Sequence, residues 1–117
     1  MATILRSLLF TPANRVAAFD KALGAGADCV CLDLEDSVPP DAKSAARPDA
    51  LDFLVGAGAK GPIRCVRINA LSSAAGARDL AGLADAAPKG GLLMLPKVES
   101  AAEIQIVGSI LDEVGSN

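Results

Sequence analysis

The sequence contains no histidine and only three cysteines among its 117 residues. Cys29 and Cys31 are two positions apart, and Cys65 lies in a different apolar stretch. A Cys-x-Cys pair without histidine lacks the ligand spacing that structural zinc sites use. We therefore interpret the cysteines as small core residues of a protein kept in a reducing cytoplasm.

Aromatic residues are equally scarce, because the chain has three phenylalanines, no tryptophan and no tyrosine. Hydrophobic residues nevertheless make up 51% of the sequence. Leucine, valine, isoleucine and alanine must therefore supply the core. A chain of this length is sufficient for one domain with a substantial core.

The chain also lacks a surplus of positive charge and a long apolar run. Its formal net charge is −3, which argues against a nucleic-acid-binding face because such a face needs a basic patch. No stretch approaches the roughly 20 apolar residues of a membrane span. The apolar N-terminus is interrupted by Arg6 and followed by Pro12, unlike a signal peptide. We expect a cytoplasmic protein that acts on a small molecule, with neither a nucleic acid nor a membrane as partner.

The most informative stretch is residues 29–38, with the sequence CVCLDLEDSV. Its apolar residues are followed by a Pro-Pro turn signal and predict a short buried strand. The strand leads into three carboxylates, Asp33, Glu35 and Asp36. Unpaired buried charge is costly, so we place these groups at the carboxyl edge of a sheet, where parallel α/β folds bind ligands.

Short apolar segments alternate with helical segments along the rest of the chain, and no hairpin turn signal separates the strands. This order predicts an α/β fold of parallel (β/α) units with right-handed crossovers. The expected strands are residues 4–10, 28–34, 63–68 and 92–95. The expected helices are residues 15–23, 41–55, 77–84 and 101–114.

Several local features refine the expected helices. Asn14 is expected to cap the first helix, and Pro48 to kink or restart the second. Glu103 follows Ser100 by three positions, which predicts a capping box at the start of the last helix. The expected apolar stripe of that helix is Ile104, Val107, Ile110, Leu111 and Val114.

Charged residues follow three of the predicted strands. Strand side chains alternate between the two faces of a sheet, so we expect these charged groups to meet on one face above an apolar layer. For the fourth strand this requires extended geometry past Pro96. The charged residues are Asp33, Glu35, Arg67, Lys97 and Glu99, and the layer beneath them is Cys65, Leu93 and Leu95.

Carboxylates without histidine suit a hard divalent cation such as Mg²⁺, bound through oxygen ligands and water. A neighbouring arginine suits a bidentate grip on a substrate carboxylate. Together they would polarise the carbonyl of a 2-oxo acid and stabilise an enolate. The same charges could instead form a structural network, in which Asp36 bonds its own turn and Lys97 is a counter-ion. A nucleotide-binding domain is disfavoured, because no glycine-rich phosphate loop follows a strand.

Four blocks of the sequence occur together: RSLLFTPANR, GADCVCLDLEDSVPPDAKSAAR, VRINAL and LMLPKVESAAEI. In this order they resemble the HpcH/HpaI aldolase/citrate lyase β-subunit family, and within it the citrate lyase β-subunit and malyl-CoA lyase branch. The resemblance implies a TIM-barrel, Mg²⁺-dependent carbon–carbon lyase. Such enzymes cleave or form 3-hydroxy acyl thioesters such as citryl or malyl thioesters, giving a 2-oxo acid and an acetyl thioester. The pyruvate-aldolase branch carries a histidine where this chain has Asp36, which argues against that branch.

The resemblance also implies catalytic and metal-binding roles for individual residues. Glu99 of PKVES matches a metal ligand, and Arg67 of VRIN matches the arginine that holds the oxo-acid carboxylate. Glu35 and Asp36 of LEDS match acidic residues that bond metal-bound waters and shape the site.

Further candidate substrate contacts lie around this centre. By the same resemblance, Phe10 and Arg15 match positions near the CoA or thioester arm. Lys97 is a substrate contact or, equally, a structural counter-ion.

A TIM barrel takes about 250 residues and eight strands, whereas about four β/α units are predicted here. We therefore expect residues 1–117 to be the N-terminal half of a TIM barrel, with the second metal carboxylate of the family beyond Asn117. Four strands leave an open edge and an uncovered inner face, so we expect a homo-oligomer. The alternative function is a non-catalytic half-barrel that acts as an assembly or interaction partner.

Overall fold

Four parallel strands form one sheet in the order β1-β2-β3-β4. The structure is a computed structural model, and it describes residues 4–58 and 60–115. Its strands are β1 (Leu8–Pro12), β2 (Cys29–Asp33), β3 (Ile63–Arg67) and β4 (Leu92–Met94). Its helices are α1 (Phe19–Leu23), α2 (Lys43–Val55), α3 (Ala74–Ala86) and α4 (Ala101–Glu113), with 3₁₀ turns at Val16–Ala18 and Pro40–Ala42. The predicted parallel α/β sheet of β/α units is confirmed.

The central strand β2 is buried along its whole length and separates two apolar layers. On one face, Leu32 belongs to the main core, in which the helices pack against the sheet. On the other face, the three cysteines form a smaller cluster with Ile63 and Met94. All three thiols are buried and free, which confirms their interpretation as core residues.

The first β/α unit differs from the prediction at both of its elements. β1 begins four residues later than expected and ends at Pro12, opposite Asp33 of β2. Because β1 is an edge strand, the missing N–H of a proline is tolerated there. The expected cap at Asn14 is wrong, since a 3₁₀ turn without a side-chain cap precedes the short α1.

Helix α2 is more continuous than predicted, and helix α3 is longer. α2 is one helix from Lys43 to Val55 with Pro48 inside it, so of the two expected effects of Pro48, a kink or a restart, the restart does not occur. α3 begins at Ala74, where the hydroxyl of Ser73 accepts a hydrogen bond from the N–H of Gly76 at 3.0 Å. A serine cap of this kind satisfies one of the free N–H groups of a helix start.

Helix α4 begins with the predicted capping box of Ser100 and Glu103. Its apolar stripe is only partly confirmed, because Val107 is buried whereas Ile104 is 57% exposed. Ile106 is also exposed, at 55%. Among the helices of the described ranges, none combines the length and apolarity that crossing a bilayer requires.

Candidate functional site

Asp33 and Arg67 form a bidentate ion pair at the carboxyl edge of the sheet. They occupy paired positions at the ends of β2 and β3. Arg67 donates from Nε to Oδ1 of Asp33 at 2.9 Å and from Nη2 to Oδ2 at 2.8 Å. The bidentate fork fixes the plane of the guanidinium.

The loop after β2 completes the hydrogen bonding of Asp33, which is 3% exposed. Its carboxylate accepts the backbone N–H groups of Glu35 at 2.9 Å and Ser37 at 3.1 Å, and the Ser37 hydroxyl at 2.8 Å. Burial alone would raise the pKa of Asp33. The hydrogen bonds from Arg67 and from the loop outweigh burial and hold that pKa well below its usual value. Asp33 is therefore a permanently ionised anchor.

Arg67 combines an oriented charge with an accessible outer edge. The hydrogen bond to Asp33 raises the pKa of Arg67 further above its usual value, so the guanidinium is always charged. The guanidinium carbon lies 5.0 Å from the centre of the Phe10 ring, a cation–π distance. The side chain is 23% exposed, and its Nη1 donates to no acceptor within residues 4–58 and 60–115. This nitrogen is available to a ligand.

Glu35 lies between two cations. Its Oε1 is 3.7 Å from Nε of Arg67, and the Lys97 ammonium contacts its Oε2. The Lys97 ammonium is also 3.8 Å from Oδ1 of Asp36. The hydrogen bond to Glu35 raises the pKa of Lys97. Because the Lys97 side chain is 65% exposed, water screens its side of the pair.

Strand β4 places its side chains one position out of step with the prediction. Leu92 is paired with Cys65 and Met94 with Arg67, so Met94 shares the cysteine face. The expected layer of Leu93 and Leu95 is wrong, because both pack against the main core on the other face. Counting alternate residues fails here, since the strand ends at Met94.

Lys97 reaches the site through a turn after β4, because the strand does not continue past Met94. Lys97 has a φ of +51°, in the left-handed region that non-glycine residues enter at a cost. The turn directs the ammonium to Glu35 regardless of strand alternation. A strained backbone at such a place is typical of functional loops.

Two predicted site residues are not brought into this cluster. Glu99 and Arg15 are both exposed, and in the described part of the chain neither side chain makes a hydrogen bond or an ion pair. The residues that do converge are Asp33, Glu35, Asp36, Arg67, Lys97 and, through its ring, Phe10.

The oxygen donors fit a hard cation only in part. Within residues 4–58 and 60–115, no three His, Cys, Asp or Glu side chains converge as a metal-binding group. Mg²⁺, however, is commonly held by one or two carboxylates and keeps several waters. Glu99 has an accessible carboxylate of the type that Mg²⁺ prefers, but within residues 4–58 and 60–115 it does not converge with Glu35 and Asp36 into one group.

Four polar residues behind this cluster were not predicted as functional. The Lys43 ammonium reaches the loop after β2, and Asn69 lies at the end of β3. Asp79 of α3 joins Asn69 to Arg47 of α2. The available signal was the spacing of four between Lys43 and Arg47, which puts both on one side of a helix.

Comparison with characterised proteins identifies the family of the chain. The sequence model of the HpcH/HpaI aldolase/citrate lyase family matches residues 6–116. The chain is 36% identical over 109 residues to a (3S)-malyl-CoA thioesterase of Cereibacter sphaeroides, covering 93% of this chain and 38% of that protein. It is 36% identical over 110 residues to an L-malyl-CoA/beta-methylmalyl-CoA lyase of the same organism, covering 93% of this chain and 35% of that protein.

Solved structures show the same relationship. RipC from Yersinia pestis superimposes with a TM-score of 0.74 at 34% identity, covering 97% of this chain and 44% of that one. CitE from Mycobacterium tuberculosis, in complex with magnesium and pyruvate, superimposes with a TM-score of 0.66 at 44% identity, covering 85% of this chain and 38% of that one. The chain thus spans less than half the length of these relatives, and its sheet corresponds to part of their TIM-barrel-like fold. With the family match extending over residues 6–116, the chain belongs to the HpcH/HpaI aldolase/citrate lyase family.

Proposed function

We propose that this chain provides the oxo-acid-binding part of a Mg²⁺-dependent carbon–carbon lyase. The reaction cleaves a 3-hydroxy acyl thioester of the citryl-CoA or malyl-CoA type into a 2-oxo acid and an acetyl thioester, or forms it from them. Residues 1–117 are the N-terminal β/α units of the TIM-barrel domain in this proposal. A relative named as a malyl-CoA lyase and a CitE structure with magnesium and pyruvate support it.

The observation that carries the proposal is the fixed guanidinium of Arg67. Asp33 occupies Nε and one N–H of Nη2, which leaves the Nη1 side as an oriented donor edge. Carboxylates are bound well by two parallel N–H groups of one guanidinium. Because Asp33 holds this edge in place before a ligand arrives, little side-chain entropy is lost on binding.

The remaining site residues would bind the metal ion, orient water and balance charge around the oxo acid. Glu99 would hold Mg²⁺, and Glu35 and Asp36 would orient water molecules beside it. When bound, the ion supplies Lewis-acid polarisation of the oxo-acid carbonyl. Lys97 balances the charge of Glu35 and Asp36.

The thioester arm of the substrate is assigned to the open side of the site. Phe10, whose ring is exposed, provides an apolar wall, and Arg15 provides positive charge for the CoA or carrier arm. The buried free thiols suit a reducing compartment, and we extend the proposal to a cytoplasmic location.

Incubation of the complete TIM-barrel domain, with this chain as its N-terminal units, with malyl-CoA or citryl-CoA and Mg²⁺ tests the proposal. We expect a 2-oxo acid, detected as its phenylhydrazone, and acetyl-CoA in equal amounts. EDTA, Glu99→Gln and Arg67→Gln should each abolish both products, whereas Arg78→Gln, an exposed change on α3, should not. Cleavage that survives EDTA, or no cleavage and no pyruvate binding with Mg²⁺ present, contradicts it. Free CoA thiol without oxo acid would instead identify a thioesterase, the activity named for one relative.

Exposed apolar groups at the sheet edges favour a second candidate, an assembly role. Leu8, Leu9 and Phe10 of β1 and Leu92 of β4 are exposed, and open strand edges readily pair with another chain. In this candidate the chain forms a homo-oligomer without catalysis. Sedimentation with and without Mg²⁺ separates the two, because a stable oligomer that ignores the metal and shows no cleavage favours assembly.

A further inference from the structure

The Lys43 ammonium joins the ends of the two strands that carry the site. It donates to the carbonyl oxygens of Leu34 and Glu35, each at 2.7 Å, and to Oδ1 of Asn69 at 2.6 Å. A lysine ammonium has three N–H donors, so these neutral oxygens use all of them. No carboxylate lies within ion-pair distance of Lys43 in the described ranges.

A second set of hydrogen bonds fixes the acceptor on β3. The backbone N–H and the Nδ2 group of Asn69 both donate to Oδ2 of Asp79, at 2.8 and 2.7 Å. Nε of Arg47 donates to Oδ1 of the same carboxylate at 2.7 Å. Asn69 and Asp79 are almost fully buried. Lys43 and Arg47 are one turn apart on α2, so the chain of contacts closes through that helix.

A lysine at position 43 indicates a specific role for its ammonium. A partly buried cation without a carboxylate partner is destabilising compared with a neutral side chain. A neutral side chain could pack there, but it could not hold three oxygens from two strand ends at one point. The presence of a lysine at position 43 is therefore explained by the backbone that its ammonium holds in place, the carbonyl groups of Leu34 and Glu35.

We propose that Lys43 is a positioning residue for Glu35. By fixing the carbonyls of Leu34 and Glu35 against Asn69, it directs the Glu35 carboxylate at Arg67 and Lys97. The proposal rests on the proposed function only for the catalytic meaning of Glu35. The contact itself is testable without substrate, metal or turnover.

The test is hydrogen exchange of the lysine NH₃⁺ groups in the ¹⁵N-labelled full chain. Lys43→Met keeps the side-chain length and removes the donors. We expect the exchange of the Lys97 NH₃⁺ protons to accelerate about twofold, the size expected for loss of an ion pair whose ammonium is largely exposed. Exchange of the β2 and β3 amides should stay slow, because the sheet is intact.

Arg47→Met is the matched control, since it removes the other cation of the network without touching the Glu35 loop. It should lower the urea midpoint and leave the exchange of Lys97 unchanged. If Lys43→Met does not fold, Lys43→Gln replaces it with the same expected direction. Unchanged Lys97 exchange in the folded Lys43 variant, or equal acceleration in Arg47→Met, shows a merely structural lysine and overturns the proposal.

Discussion

Both oxygens of the Asp33 carboxylate accept hydrogen bonds from Arg67. The positive charge of Arg67 is therefore balanced by Asp33 in the free protein. The cluster around the pair contains three carboxylates and two cations, a surplus of negative charge that favours a divalent cation. An anionic ligand is then bound by oriented N–H groups more than by net charge. In the proposed function, the metal would therefore be attracted by net charge and the oxo acid by oriented N–H groups.

Asp33→Asn tests the strength and the pH dependence of this pair. The variant removes the bidentate charged partner of Arg67 and leaves only Glu35, 3.7 Å from its Nε. We expect it to lower the free energy of unfolding at pH 7 by about 3 kcal/mol. The folded-state pKa of Asp33 is depressed, so its contribution is fully present above the unfolded pKa of about 3.9 and is lost as the pH falls below it. Urea unfolding between neutral and acidic pH measures both effects.

The control is Asp20→Asn, an exposed change on α1, which should alter stability by less than about 0.5 kcal/mol. The wild-type protein should lose more stability than Asp33→Asn as the pH falls below about 4. Parallel losses in the two proteins would contradict the role given to the pair.

Gly76 sets the distance between α3 and the loop after β3. A Cβ atom there would overlap the carbonyl oxygen of Ala70 and lie 2.8 Å from the carbonyl oxygen of Asn69. Since both atoms are backbone, we expect Gly76→Ala to cost about 3 kcal/mol in urea unfolding. Gly108→Ala in α4 meets no atom within 4 Å and should stabilise the protein by about 0.5–1 kcal/mol. Two changes of the same sign would show that the close approach is not the cause.

The order of strands and helices could be predicted because it depends on local alternation of apolar and turn-forming residues. The limits of β1 could not, since an edge strand extends only where β2 offers partners. The same holds for Ile104, whose helical spacing predicts burial but which lies where no element of the described chain covers it. Tertiary context decides both.

The site was predictable only where its residues lie on or directly after regular strands. Asp33, Glu35 and Arg67 lie on or directly after regular strands, so counting alternate residues places them correctly. Lys97 follows the end of β4, and its left-handed backbone is not visible in the spacing. Lys43 binds backbone oxygens, and such acceptors leave no pattern of side chains in a sequence.

The buried thiols provide a test of the inner face of the sheet. Burial raises the pKa of Cys29 to about 11, and contact with Cys31 together with burial raises that of Cys65 further. We expect negligible reaction with Ellman's reagent at pH 8 in the native chain and rapid reaction of all three cysteines in urea. A raised folded-state pKa also means that stability declines as the pH rises above about 9, the ordinary thiol range. Fast labelling of the folded protein would show that this face is open.

Glu103 connects helix α4 to the segment that carries Glu99. Its Oε2 accepts the backbone N–H groups of Glu99 at 2.8 Å and Ser100 at 3.2 Å, and its charge lies at the positive end of the helix dipole. We expect Glu103→Ala to lower the free energy of unfolding by about 1 kcal/mol. Glu113→Ala removes the same side chain from the opposite end of α4, where a negative charge is unfavourable, and should be neutral or slightly stabilising. Equal losses in urea unfolding of the two variants would show that the carboxylate acts through general helix content and not through the cap.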